Sequence, residues 1–162
     1  CVDTAELMIE GADGTHKVKN THTIEIVEQR LLVEPGSFVL DIQQAAPYFR
    51  KQGALGFINS FVNNALPGMK HPITGVFDVL ELLYHTHPTQ HKGLSLAVSH
   101  DTILAAIVAV ISGKNQIDQT DWPDMMEGLF VWFEGEDFSN SKLKWIWRGK
   151  KQELVIKDFK NK

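Results

Sequence analysis

Apolar residues recur every three or four positions along much of the chain, the spacing that places them on one face of an α-helix. Helices are predicted over residues 1–10, 42–66, 76–85 and 102–112. Gly53 and Gly56 interrupt the second segment, which is therefore expected to form two short helices. The last segment is apolar almost throughout, which predicts a helix buried on all sides.

Shorter apolar runs bounded by turn-forming residues predict β-strands. They lie at residues 23–33, 94–98, 129–134, 143–147 and 153–156. The run Leu-Ser-Leu-Ala-Val at 94–98 lies between a glycine and a polar cluster, which is typical of a strand buried inside a sheet. The aromatic runs 129–134 and 143–147 flank a polar, glycine-containing stretch and predict an antiparallel pair. Helices interleaved with strands predict a layered α/β fold with a mixed sheet.

Length and composition bound the class of protein. At 162 residues, 1–162 is predicted to be a single domain, and 43% apolar with 22% charged residues is an ordinary globular mixture. A net charge of −4 argues against nucleic acid as a partner, because phosphate backbones are bound through concentrated basic patches. The longest apolar run, 103–111, is about half of what a bilayer requires, so no membrane span is expected. The composition leaves the compartment open.

The chain begins with Cys1 inside a predicted helix rather than with an initiator methionine. Because a domain rarely starts within a helix, we expect a segment upstream of Cys1 to be missing. Cys1 is also the only cysteine, which excludes an internal disulfide and a cysteine-rich zinc site.

The strongest chemical signal is Ser99-His100-Asp101-Thr102, where the predicted strand 94–98 passes into a helix. A helix N-terminus offers free amide groups and a partial positive charge to an anion such as phosphate. His100 could donate a hydrogen bond to a phosphoryl oxygen, and Asp101 could give a proton to a leaving alcohol. On spacing alone, the alternative is a simple helix cap formed by Ser99, Asp101 or Thr102, with His100 facing water.

The segment 94–106, a strand followed by Ser-His-Asp-Thr and an alanine-rich helix, resembles the histidine acid phosphatase branch of the histidine phosphatase superfamily. The segments 1–7, 33–38 and 122–131 are also similar to that family, so the resemblance covers most of the chain. It implies a phosphoglycerate-mutase-like fold with a mostly parallel sheet flanked by helices, incomplete at its N-terminus. Residues 42–93 would then be a helical insertion that sets substrate specificity.

The resemblance also implies roles for single residues. His100 would be the second histidine, which binds the transferring phosphoryl group, and Asp101 would be the proton donor. Glu34 is a rival donor, since another branch of the superfamily uses a glutamate from this region, although a solvated residue at a strand end is an equal alternative. Ser99 and Thr102 would contact the substrate beside His100.

Glu127 is a further substrate-binding candidate, and its alternative is to cap a turn. The implied substrate is a phosphorylated small molecule, handled without a metal or an organic cofactor.

The defining Arg-His-Gly segment of the family, which carries the nucleophilic histidine, does not occur in this sequence. The nucleophile would have to come from an N-terminal segment or a second chain, and we expect this chain alone to be inactive. A non-catalytic binding module that retains the fold is the alternative hypothesis.

Two other patterns favour structural roles. His85, His87 and His91 are spaced closely enough to share a zinc ion, but no cysteine or carboxylate lies near them, which favours a solvated loop. The four tryptophans are interpreted as core residues, because three of them lie in the alternating strand patterns.

Overall fold

The computed structural model describes residues 2–15, 26–34, 36–64, 66–86 and 93–161. These residues form helices α1 (Val2–Thr15), α2 (Ile42–Val62), α3 (Pro72–Thr86), α4 (Asp101–Ile111) and α5 (Ile156–Lys160), a 3₁₀ helix (Arg30–Leu32) and strands β1 (Phe130–Glu134), β2 (Lys142–Trp147) and β3 (Lys150–Val155). None of these helices is long and apolar enough to cross a membrane.

Helix α4 is the centre of the helical layer, because nine of its eleven residues are buried. It packs against both α2 and α3. Its alanines, Ala105, Ala106 and Ala109, are buried small side chains, and small side chains let neighbouring helices approach closely. The buried helix predicted from the apolar run is thus confirmed.

Strands β1, β2 and β3 form one antiparallel sheet in that order, with Phe130 opposite Ile146 and Trp145 opposite Gln152. Leu143 and Trp145 alternate along β2 and are almost fully buried. The two-residue turn Arg148-Gly149 joins β2 to β3 with positive φ at both positions, as such hairpins favour. The antiparallel pairing predicted for the aromatic runs is confirmed.

Helix α2 is kinked at Gly53, whose backbone leaves the helical region with φ 68° and ψ 176°. Glycine adopts this conformation without the steric cost that a side chain would add. The predicted interruption is therefore real, although Gly56 stays within the helix. Helix α3 includes the whole predicted segment 76–85.

The predicted fold class is wrong. The described residues contain three strands, all antiparallel and in one sheet, and not a mostly parallel sheet flanked by helices. Residues 94–98 are outside any strand, and Leu94 and Leu96 are 81% and 64% exposed. A buried strand needs neighbours on both sides to satisfy its backbone, and no described segment pairs with this one.

The other differences lie near the N-terminal end. Helix α1 continues through Gly11 to Thr15, beyond the predicted end at residue 10. In the predicted strand 23–33, residues 26–29 have no regular structure, 30–32 form the 3₁₀ helix, and 23–25 lie outside the described residues. Within the predicted insertion 42–93, residues 42–62 and 72–86 form α2 and α3, whereas its status as an insertion stays a prediction.

Candidate functional site

His100 is the N-cap residue of α4, with extended backbone angles of φ −99° and ψ 154°. Its carbonyl accepts a hydrogen bond from the Leu104 amide at 3.0 Å, which starts the helix. Its side chain makes no capping hydrogen bond. The half-buried His100 residue therefore lies at the N-terminus of α4 without using its imidazole to cap the helix.

Two side-chain contacts tie the segment before α2 to the start of α4. The Thr102 hydroxyl donates a hydrogen bond to Glu34 Oε1, although the two residues are 68 positions apart. The Ser99 hydroxyl donates to the Leu32 carbonyl at 2.7 Å. The structure thus brings Glu34 to Ser99 and Thr102, the residues on either side of His100 and Asp101. Ser99 connects the two segments and does not cap the helix.

The turn that presents Glu34 depends on Gly36. The Gly36 amide donates to the Val33 carbonyl at 2.9 Å and closes the turn. A Cβ atom at position 36 would overlap the Arg30 carbonyl oxygen, so only glycine fits without backbone movement.

Gly36→Ala is therefore expected to displace Glu34 and to lower the free energy of unfolding by about 1–3 kcal/mol, the range for an inserted methyl group in a tight site. Urea unfolding measures the loss. Gly128→Ala is the matched control, because a Cβ atom there meets nothing within 4 Å. Equal, small effects of the two substitutions would contradict the tight turn.

Both carboxylate oxygens of Asp101 accept hydrogen bonds. Oδ1 accepts from the Thr102 amide at 2.7 Å, and Oδ2 accepts from the Trp122 indole at 2.9 Å. Asp101 therefore satisfies one amide of the first turn, and Trp122 fixes the direction of its carboxylate. Trp122 was interpreted as a core residue, yet its indole N–H reaches the site. Trp122 is the one tryptophan outside the predicted strands, and this position was the sequence signal that could have indicated a role other than core packing.

Arg148 holds the loop that carries Trp122. Its guanidinium makes two hydrogen bonds of 2.7 Å to the Glu127 carboxylate, donates to the Trp122 carbonyl at 2.8 Å and also donates to the Thr120 carbonyl. Because Arg148 lies in the β2–β3 turn, this clamp connects the sheet to the Trp122–Asp101 contact. Nothing in the sequence around Arg148 indicated that it would hold the loop that carries Trp122.

Glu127 belongs to this clamp. Besides Arg148, its carboxylate accepts a hydrogen bond from the Asp124 amide at 3.0 Å. Its hydrogen bonds therefore support the loop and do not reach the start of α4, which agrees with the turn-capping alternative.

The hydrogen bonds from Arg148 hold the pKa of Glu127 below its ordinary value. The pair therefore stabilises the fold above the unfolded-state pKa of about 4.3, and this stabilisation is lost as the pH falls through the lower folded-state pKa. Glu127→Gln is expected to cost about 0.5–1 kcal/mol at pH 7, since the pair is partly solvent-screened, and less below about pH 4.

Urea unfolding of wild type and Glu127→Gln from pH 7 to pH 3 measures this trend. Glu136→Gln is the control, because the Glu136 carboxylate makes no ion pair among the described side chains. A difference that stays constant across the range would contradict the titration of Glu127.

In the part of the chain that the structure describes, no three His, Cys, Asp or Glu side chains are grouped so that they could hold a metal ion. His85 lies near the end of α3 with its ring edge-on to Tyr84, at 5.3 Å between centroids. His87 and His91 lie outside the described residues.

The start of α4 thus combines an imidazole, two carboxylates, a hydroxyl and the positive end of a helix dipole, a set suited to binding an anion and moving a proton. Comparison of the chain with protein-family models, curated proteins and solved structures gives no match. The resemblance to histidine acid phosphatases therefore rests on the sequence segments named above.

Proposed function

We propose that this chain supplies the phosphate-binding histidine and the proton donor of a phosphomonoesterase. The observation that supports the proposal is the contact between Glu34 and Thr102, because it brings a second acidic side chain to the first turn of α4, directly after His100 and Asp101 in the chain. A phosphoryl group at this point would meet the His100 imidazole, a hydrogen-bond donor, and the N-terminus of α4, both of which stabilise negative charge on its oxygens.

In the proposed reaction, a histidine from another segment or chain attacks phosphorus, and the bond from phosphorus to the leaving alcohol breaks. The acid gives its proton to the alcohol oxygen. Water then attacks the phosphohistidine and returns a proton to the carboxylate of that acid. The phosphorus–nitrogen bond breaks, inorganic phosphate leaves, and both the nucleophile and the acid are restored. His100 acts throughout by holding phosphoryl oxygens.

Hydrogen bonding favours Glu34 over Asp101 as the proton donor. Both oxygens of Asp101 accept from N–H groups, so a proton on either oxygen would share that oxygen with an existing hydrogen bond. Glu34 accepts one bond, on Oε1, which leaves Oε2 able to carry a proton. This reverses the preference for Asp101 that the resemblance suggested.

The test joins this chain to a segment containing Arg-His-Gly and follows hydrolysis of 4-methylphenyl phosphate, with the chain alone as the control. Rapid acid-free quenching and ³¹P spectroscopy should detect phosphohistidine on the added segment. Glu34→Gln should slow alkyl phosphates more than aryl phosphates, because a poor leaving group needs the proton more. The absence of turnover in the joined protein would overturn the proposal.

A non-catalytic module that binds phosphorylated ligands is the second candidate. The sequence favours this candidate, because it has no Arg-His-Gly segment. Arg148 favours it as well, because its guanidinium is engaged with Glu127 and backbone carbonyls instead of clamping a phosphoryl group. Phosphate binding to the chain without turnover in the joined protein would support this candidate.

A further inference from the structure

A cavity of about 190 Å³ lies between α2, the segment 37–39 and the start of α4. Most of the residues that line it are apolar, and its floor consists of buried side chains that include Phe38, Phe57 and Ile103. Phe49 and Arg50 line it from α2 and are exposed, so the cavity opens to solvent on their side. An apolar cavity of about 150 Å³ already holds benzene, so this one has room for a single ring.

Two opposite charges line this largely apolar space without being paired. Glu34 and Arg50 both belong to the wall and are exposed, and within the described part of the chain neither forms an ion pair. The Thr102 hydroxyl, also in the wall, donates to Glu34 Oε1 and leaves Oε2 open. The Ser37 hydroxyl oxygen is buried. The polar side chains that remain for a ligand are therefore the guanidinium and one carboxylate oxygen.

We propose that the cavity binds a free α-amino acid with a large apolar side chain. That side chain lies on the apolar floor, the carboxylate pairs with Arg50, and the ammonium group pairs with Glu34 Oε2. A ligand with a single charge would match one wall group and be repelled by the other. The two neighbouring charges of an α-amino acid match both.

Binding of the amino acid goes beyond the proposed phosphatase function and does not rest on it. One consequence does rest on it, because Glu34 is the proposed proton donor. An ammonium group on Oε2 would occupy the oxygen that carries the proton. The amino acid should therefore slow turnover in the joined protein.

Binding is tested on the chain itself at neutral pH by amide chemical-shift titrations. The probes are L-phenylalanine, 3-phenylpropanoate, which lacks the ammonium group, and 2-phenylethylamine, which lacks the carboxylate. We expect L-phenylalanine to bind with a dissociation constant on the order of 1 mM. Each analogue should bind about threefold more weakly, because an exposed ion pair contributes little. Equal affinity for the three probes would overturn the charge matching.

The two wall charges are tested separately. Arg50→Gln should weaken L-phenylalanine about threefold without weakening 2-phenylethylamine, and Glu34→Gln should do the same without weakening 3-phenylpropanoate. Lys51→Gln and Glu28→Gln are the matched controls, since both residues are exposed and neither lines the cavity. If either wall variant behaved like its control, the pairing assigned to that residue would be wrong.

The location is tested by filling the cavity. Ala46 lines the cavity from α2, so Ala46→Phe should weaken L-phenylalanine at least tenfold. Ala54 is half-buried on the same helix but does not line the cavity, which makes Ala54→Phe the matched control. Binding that survives Ala46→Phe would overturn the site. Because these titrations involve neither phosphate nor a nucleophile, binding without turnover in the joined protein would defeat only the proposed function.

Discussion

Under the proposed function, His100→Ala is expected to lower kcat for an aryl phosphate by about a thousandfold in the chain joined to an Arg-His-Gly segment. This magnitude follows from the loss of one preorganised hydrogen-bond donor to the transferring phosphoryl group, which typically costs a hundred- to a thousandfold. The His100 side chain makes no capping hydrogen bond at the start of α4, and unfolding is measured beside kcat so that any change in stability is separated from the loss of activity.

His85→Ala is the matched control, since His85 is an exposed histidine near the end of α3. Steady-state kinetics with 4-methylphenyl phosphate, together with urea unfolding of each variant, separate chemistry from folding. If His100→Ala changed kcat no more than His85→Ala does, His100 would have no part in phosphoryl transfer. The phosphatase proposal would then lose its central residue.

Local periodicity predicted the elements whose partners are near in sequence. The buried helix α4 and the pairing of β1 with β2 depend on contacts that an apolar run or an alternating pattern directly expresses. The segment 94–98 shows the limit of this reasoning. An apolar run indicates that burial would be favourable, but burial as a strand also requires paired backbone, and no described segment provides it.

The candidate site was predicted in part. The motif at residues 99–102 and the resemblance pointed to His100, and the resemblance alone pointed to Glu34. Trp122 and Arg148 were missed because their roles are tertiary. The indole of Trp122 reaches Asp101 across 21 positions, and Arg148 reaches the Trp122 carbonyl across 26. No local pattern encodes such contacts, since they depend on where the β2–β3 turn meets the loop.

Phe61→Ala is expected to lower the free energy of unfolding by about 3–5 kcal/mol, the range for truncating a buried phenylalanine. Phe61 is 1% exposed, and its ring lies 4.9 Å from that of Phe38, measured between centroids. Domains of this size are stable by only about 5–15 kcal/mol, so the loss is a large share of the total. Urea unfolding at neutral pH measures it.

Phe49→Ala is the control, because Phe49 is on the same helix but 41% exposed, with an edge-on contact to Phe57. Its cost should be about 1 kcal/mol, since much less apolar surface leaves the core. Equal costs for Phe61→Ala and Phe49→Ala would contradict the packing of α2 against the core.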